Sequence, residues 1–93
     1  MRIDLALKRL LLVKSRTEGK EACDVGAVAV NGKRVKASAE VGPGDTIRLE
    51  YAHRTLEIQL LSDIGKNVSR AEAKALYRVR SDVVTVLTTR VVG

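Results

Sequence analysis

The stretch VKSRTEGK, Val13 to Lys20, decides how the first third of this chain folds. Ser15 is followed three positions later by Glu18, the reciprocal capping pattern that starts a helix. Before it, Ile3, Leu7, Leu10 and Leu11 recur at helical spacing, with Lys8 and Arg9 on another side. The spacing predicts a first helix from Ile3 to about Leu12, with Asp4 capping it or favouring its first turn. A break near Lys14 leads to a second helix from Arg16 to about Val25. Gly26 suits the left-handed conformation that closes such a helix. The inward positions Gly19, Ala22 and Cys23 are small, so the second helix can lie close against a neighbour.

Downstream the period changes from helical to alternating. Ala27 to Val30 and Arg34 to Val35 flank Asn31-Gly32, a strong short hairpin signal. Val41-Gly42-Pro43-Gly44-Asp45 is a turn cluster. Ile47, Leu49 and Tyr51 then alternate with Arg48 and Glu50, and Leu56, Ile58 and Leu60 alternate with Glu57 and Gln59. Two antiparallel strands joined at Ala52-His53 follow. Ser62 to Val68 reads as a loop, and Ser69 with Glu72 repeats the capping pattern for a short helix to about Leu76. The β-branched stretch SDVVTVLTTRVVG, 81–93, reads as a final strand or a frayed tail. The expected fold class is α+β: an N-terminal helix pair packed on a small antiparallel sheet, a short C-terminal helix and a tail. The expected organisation is one domain over 1–93, with a core at 1–51 and an extension at 52–93.

Charge is distributed unevenly. The formal net charge is +6, and residues 1–36 carry nine Lys or Arg against four acids, while the rest carries eight against seven. Such asymmetry suits a polyanion-binding face, because phosphate neutralisation supplies most sequence-independent affinity for nucleic acid. Solubility alone also explains a basic balance. Aromatics are scarce, with Tyr51 and Tyr77 alone and no Phe or Trp. That argues against readers of single strands that stack bases on rings.

Catalysis finds no set of residues. No phosphate loop, dinucleotide-binding glycine pattern or metal-ligand cluster accompanies the single His53. His53 reads as a surface residue in a turn. Cys23, the lone cysteine, excludes an internal disulfide and reads as a small core residue. The expectation is a non-enzyme with no cofactor, no metal and no membrane span, in a reducing cytoplasm.

If Ser15 caps the second helix, unpaired backbone N–H groups and the positive dipole end lie at its start, where anions bind readily. Arg16 sits in that first turn, against the dipole, which suggests recruitment by an external negative partner. Arg2 and Lys14 fall close enough in sequence to reach the same phosphates, and a guanidinium suits bidentate phosphate binding. A second basic group, Lys33, Arg34 and Lys36, follows the hairpin turn. A solvated helix joint and a lysine-protected sheet edge are the plain alternatives.

The order of these pieces resembles the small RNA-binding domain named after bacterial ribosomal protein S-four. The resemblance rests on R-I-D-L at Arg2 to Leu5, S-R-T at Ser15 to Thr17, V-N-G at Val30 to Gly32 and V-x-P-G-D at Val41 to Asp45, and covers roughly Met1 to Tyr51. It implies that the helix pair and hairpin form one basic surface for structured RNA, bringing Arg2, Lys14 and Arg16 together with Lys33, Arg34 and Lys36; Thr17 and, more peripherally, Lys20 complete the candidate RNA-binding residues. K-S-R-T, V-A-V-N-G and K-A-S followed by V-G-P-G-D are most similar to the short RqcP proteins. That similarity implies a monomer when free that binds ribosomal RNA and peptidyl-tRNA on stalled large ribosomal subunits. There it would support C-terminal tailing of the blocked nascent chain. Arg2 and Arg16 match the family's RNA-contacting arginines. The alternatives it leaves are a heat-shock-type factor rescuing peptidyl-tRNA-bearing large subunits, a detached module of an RNA-modifying enzyme, and a protein- or membrane-binding module using the tail Val83 to Val92.

Overall fold

Two helices of unequal register meet at the Val13–Lys20 joint in the computed structural model, which describes residues 1–65 and 68–84. The first, α1 (Ile3–Arg9), ends earlier than the apolar spacing predicts. Leu11 takes φ of 61°, and its N–H donates to the Lys8 carbonyl while the Leu12 N–H donates to Leu7. That pair of bonds closes a helix in the left-handed manner usually given to glycine, here with leucine in the left-handed position. The early stop turns the chain so that Leu10 and Val13 are both buried.

The second helix, α2 (Arg16–Asp24), starts as its capping pattern predicts: Ser15 Oγ accepts from the Glu18 N–H at 3.1 Å. Glu18 reaches back to the Lys14 N–H, at 3.3 Å, one residue beyond the usual reciprocal partner. It ends at Gly26 (φ 77°), whose N–H donates to Cys23 while the Ala27 N–H donates to Ala22. Gly19 and Cys23 are buried against α1. Burial raises the Cys23 thiol pKa, helped by the nearby Asp4 and Asp24 carboxylates, so the thiol stays protonated and packs as a small core group.

The sheet has five antiparallel strands in the order β2-β1-β3-β4-β5: β1 (Val28–Val30), β2 (Lys33–Arg34), β3 (Thr46–Tyr51), β4 (Arg54–Leu60) and β5 (Tyr77–Val84). Asn31 and Gly32 both have positive φ, as a two-residue primed turn requires. The turn sets β2 at Lys33–Arg34, one residue earlier than the sequence suggests, with Val30 opposite Lys33. The hairpin and the V-G-P-G-D turn are tied to each other. Asn31 Nδ2 donates to Asp45 Oδ1 at 3.0 Å, the Thr46 N–H donates to Asn31 Oδ1 at 2.9 Å, and the Gly42 N–H donates to Asp45 Oδ2 at 2.9 Å. These donors favour ionised Asp45 and hold its pKa below the ordinary carboxylate value, the Asn31 amide contributing most.

Alternation in β3 and β4 turns Ile47, Leu49, Leu56, Ile58 and Leu60 toward Ile3, Leu7 and Leu10, forming the core with Val28. The short helix α3 (Arg70–Ala75) is capped by Ser69, whose Oγ accepts from the Glu72 N–H. The final strand begins at Tyr77, four residues before the predicted stretch. It lies on β4 through a bulge and an Arg54–Asp82 pair with bonds of 2.7 and 2.9 Å. The rest of the predicted tail, 85–93, lies outside the described residues.

A Cβ on Gly19 would stand 2.9 Å from the Asp4 carbonyl oxygen and 3.4 Å from Asp4 Cα, both backbone atoms that cannot turn aside. Helix propensity alone favours alanine there by about 1 kcal/mol, whereas overpacking costs about 1–3 kcal/mol. Gly19→Ala is therefore expected to lower stability in urea denaturation; a gain would show that α1 and α2 have room to separate.

Candidate nucleic-acid interface

Asp4 lies three positions before Leu7, on the apolar stripe of α1, and its side chain is only 3% exposed. A buried carboxylate is tolerated only when its oxygens are satisfied. Oδ1 accepts from the Leu5 N–H at 2.8 Å. Oδ2 accepts from Arg2 at 3.2 Å and from Arg16 Nε at 3.4 Å. The negative partner of Arg16 is thus internal: the cation that opposes the α2 dipole is offset by a carboxylate from α1, so no external anion is needed to account for it.

Both guanidiniums remain about half exposed, at 46% for Arg2 and 48% for Arg16. Arg16 meets Asp4 through Nε and Arg2 through one terminal nitrogen, so most of the five N–H donors on each guanidinium are left for other acceptors. Arg2, Asp4, Arg16, Thr17 and Lys20 line one depression of about 270 Å³, with three cations around one acid. Lys20 stands one turn along α2 from Arg16. The N–H groups of Arg16 and Thr17 have no acceptor among the described residues, because Ser15 Oγ serves Glu18. The arrangement offers guanidinium forks, an ammonium, a hydroxyl and backbone donors to one oxyanion-rich ligand.

The other basic residues singled out in the sequence are spread around this cluster. Lys36 sits in the exposed turn whose next residue, Ala37, accepts from the Asp4 N–H, and Ala39 accepts from Ile3, so that turn adjoins the start of α1. Arg34 extends along Gly26: a Cβ there would stand 3.6 Å from Arg34 Cδ and 3.7 Å from its Nε. It therefore lies at the C-terminal end of α2, roughly 13 Å along the helix from Arg16, where a cation suits the helix dipole. Lys33 is exposed on the edge strand. Lys14 lines a different hollow, on the far side of the α2 start. The structure thus gathers Arg2, Arg16, Thr17 and Lys20, borders them with Lys36, and sets Lys14, Lys33 and Arg34 apart. Asp4 stands in the first turn of α1, one of the two roles its sequence position suggests, while Arg2 takes the cap position; its further role as partner of both arginines is signalled only by a carboxylate on an apolar stripe.

The S4 domain matches residues 1–47, half of the chain. RQC P-site tRNA stabilizing factors match over most of its length: that of Bacillus subtilis is 33% identical, covering 85% of this chain and 91% of the relative. That of one Helicobacter pylori strain is 45% identical, covering 77% and 87%. The chain belongs to this S4-domain family. Among solved structures, the trimeric heat shock protein 15 of Vibrio cholerae shares the fold at a TM-score of 0.80, with 28% identity, over 87% of this chain and 82% of that one. The solution structure of the hypothetical protein HP1423 gives 0.75, with 40% identity, over 87% and 98%. The family's members are named as stabilising factors and carry an RNA-binding module, so the chain is a non-enzymatic RNA-binding protein. No helix among the described residues is long and apolar enough to cross a membrane.

Asp4→Asn keeps the shape and an acceptor for Leu5 but removes the charge that holds both arginines. Because those arginines can turn to water, the expected loss is about 1–3 kcal/mol rather than the larger penalty of a stranded buried charge. Urea denaturation with an unchanged m-value checks it; unaltered stability would show that the ion pairs contribute nothing to the fold.

Proposed function

We propose that the chain stabilises P-site tRNA on stalled large ribosomal subunits in the cytoplasm, contacts ribosomal RNA beside it, and so supports C-terminal tailing of the nascent chain. The observation that carries this reading is the Arg2–Asp4–Arg16 cluster, in a chain whose relatives are named for stabilising P-site tRNA. Arg2 and Arg16 act as the phosphate clamp. Their inner edges are fixed by Asp4, so less side-chain freedom is lost when the outer edges meet phosphate. Thr17 and Lys20 complete that contact. Lys36 extends it toward the hairpin, where Lys33 and Arg34 meet a neighbouring part of the RNA backbone; Lys14, in a separate hollow on the other side of α2, stands outside this contact.

Recognition of this kind reads shape and backbone rather than base edges, which agrees with a surface of cations and without exposed stacking rings. The protein acts as a monomer: the clamp is complete within one chain. The likeness to heat shock protein 15 supports the fold, and the Helicobacter pylori stabilizing factor, which shares more identity, supports the narrower reading.

Sedimentation with purified large subunits carrying peptidyl-tRNA tests the proposal. The wild type is expected to co-sediment, and the Arg2→Ala, Arg16→Ala double variant to bind far more weakly. Losing two phosphate contacts should also flatten the slope of log affinity against log salt by about 1.4–1.8. Equal binding by the two proteins, with equal salt slopes, would overturn the clamp assignment.

A further inference from the structure

On the other side of the α2 start lies a larger groove, of about 900 Å³, between the α1–α2 joint, α3 and the inner face of β5. It is distinct from the Arg2–Arg16 cluster, and no residue lines both. Two large aliphatic side chains in its lining meet solvent: Leu11 is 51% exposed and Val79 50%. Two large apolar side chains opening on one groove mark a surface that gains by being covered.

Leu11 carries a second signal. Its φ of 61° closes α1 in a conformation that glycine adopts freely and a branched side chain adopts only against steric resistance. Its side chain is half exposed, so core packing gives little return for leucine over glycine at that position. A leucine held there against backbone preference, at the mouth of a groove, points to use of the side chain by a partner.

The rim gives the partner's charge. Lys14, Arg70 and Lys74 line the groove and form no ion pair among the described residues. Arg54 also lines it but is paired with Asp82, and Glu18 is the one acid in the lining. RNA fits this surface poorly. The floor is aliphatic rather than polar, and Tyr51, whose ring could stack a base, is already committed. Its hydroxyl donates to the Leu12 carbonyl at 2.6 Å, and the Arg54 guanidinium lies 5.8 Å from its ring centroid.

We propose that this groove docks an acidic amphipathic protein segment, whose apolar side chains cover Leu11 and Val79 and whose carboxylates meet Lys14, Arg70 and Lys74. Apolar anchors in a groove with complementary charge at its rim are a recurring mode of peptide recognition. The surface is independent of the RNA clamp, so one chain can hold RNA on one side of α2 and a protein on the other.

The test uses the full chain, isotope-labelled, and two synthetic helical peptides. One has leucines every third and fourth position with glutamates between; the other replaces the glutamates with lysines. The glutamate peptide is expected to bind saturably, shifting the amide resonances of Leu11, Lys14, Arg70 and Lys74, with the lysine peptide inert. An Arg70→Glu, Lys74→Glu double variant, which sets like charges against the glutamates, should weaken binding at least about tenfold. Leu11→Gly should weaken it about tenfold without lowering the thermal midpoint, because glycine suits the left-handed position. The Arg2→Ala, Arg16→Ala variant should bind the peptide as the wild type does, which separates this proposal from the RNA reading. The proposal is overturned if the glutamate peptide does not saturate, if the lysine peptide binds equally, or if an RNA hairpin shifts the same four residues and displaces the peptide. A fall in midpoint for Leu11→Gly would assign that leucine to the fold and remove it as an anchor.

Discussion

A single buried carboxylate ties the working face of this protein together. The backbone N–H of Asp4 donates to Ala37, which fixes the segment after the hairpin against α1; its carbonyl oxygen approaches where a Cβ on Gly19 would be; and its side chain accepts hydrogen bonds from Arg2 and Arg16. Helix pair, sheet segment and cation pair therefore share one residue. An isolated carboxylate at that depth costs several kcal/mol, and the two half-exposed guanidiniums reduce the penalty while keeping donors in water. The same contacts that make Asp4 tolerable orient the arginines.

This coupling joins two short motifs, R-I-D-L and S-R-T: Arg2 and Asp4 come from one and Arg16 from the other, and all three meet on Asp4 Oδ2. V-N-G and V-G-P-G-D are joined in the same way, through Asn31 and Asp45. Each motif alone satisfies only part of a polar network, and a partly satisfied network in a packed domain is worse than none. The pairs are units of structure, and one of them also presents the cations outward.

Much of the fold was legible because its signals are local. Ser15 with Glu18 and Ser69 with Glu72 capped helices where their spacing placed them, Asn31-Gly32 made the tight turn, and the alternation from Ile47 to Leu60 gave two strands with the correct inner face. The misreadings have physical causes. The end of α1 was set late because Leu11 does the work of a glycine, which propensity does not foresee. Gly19, by contrast, is legible as a small inward position, and the Asp4 backbone does lie close beside it. Arg16 reads as unpaired because its partner is twelve residues away on another helix. The groove was invisible for the same reason, since Lys14 comes to share a lining with Arg70 and Lys74 only through the pairing of β4 with β5 and the helix before it.

The account stands on Asp4 acting through Arg16, and a double-mutant cycle on binding to large subunits tests that most directly. Arg16→Ala is introduced into the wild type and into Asp4→Asn, and the four affinities are compared at one salt concentration. If Asp4 orients the guanidinium, Arg16→Ala does less damage once Asp4 is gone, with a coupling of about 1 kcal/mol or more. If the two effects simply add, the carboxylate does not position the clamp, and the central claim is contradicted.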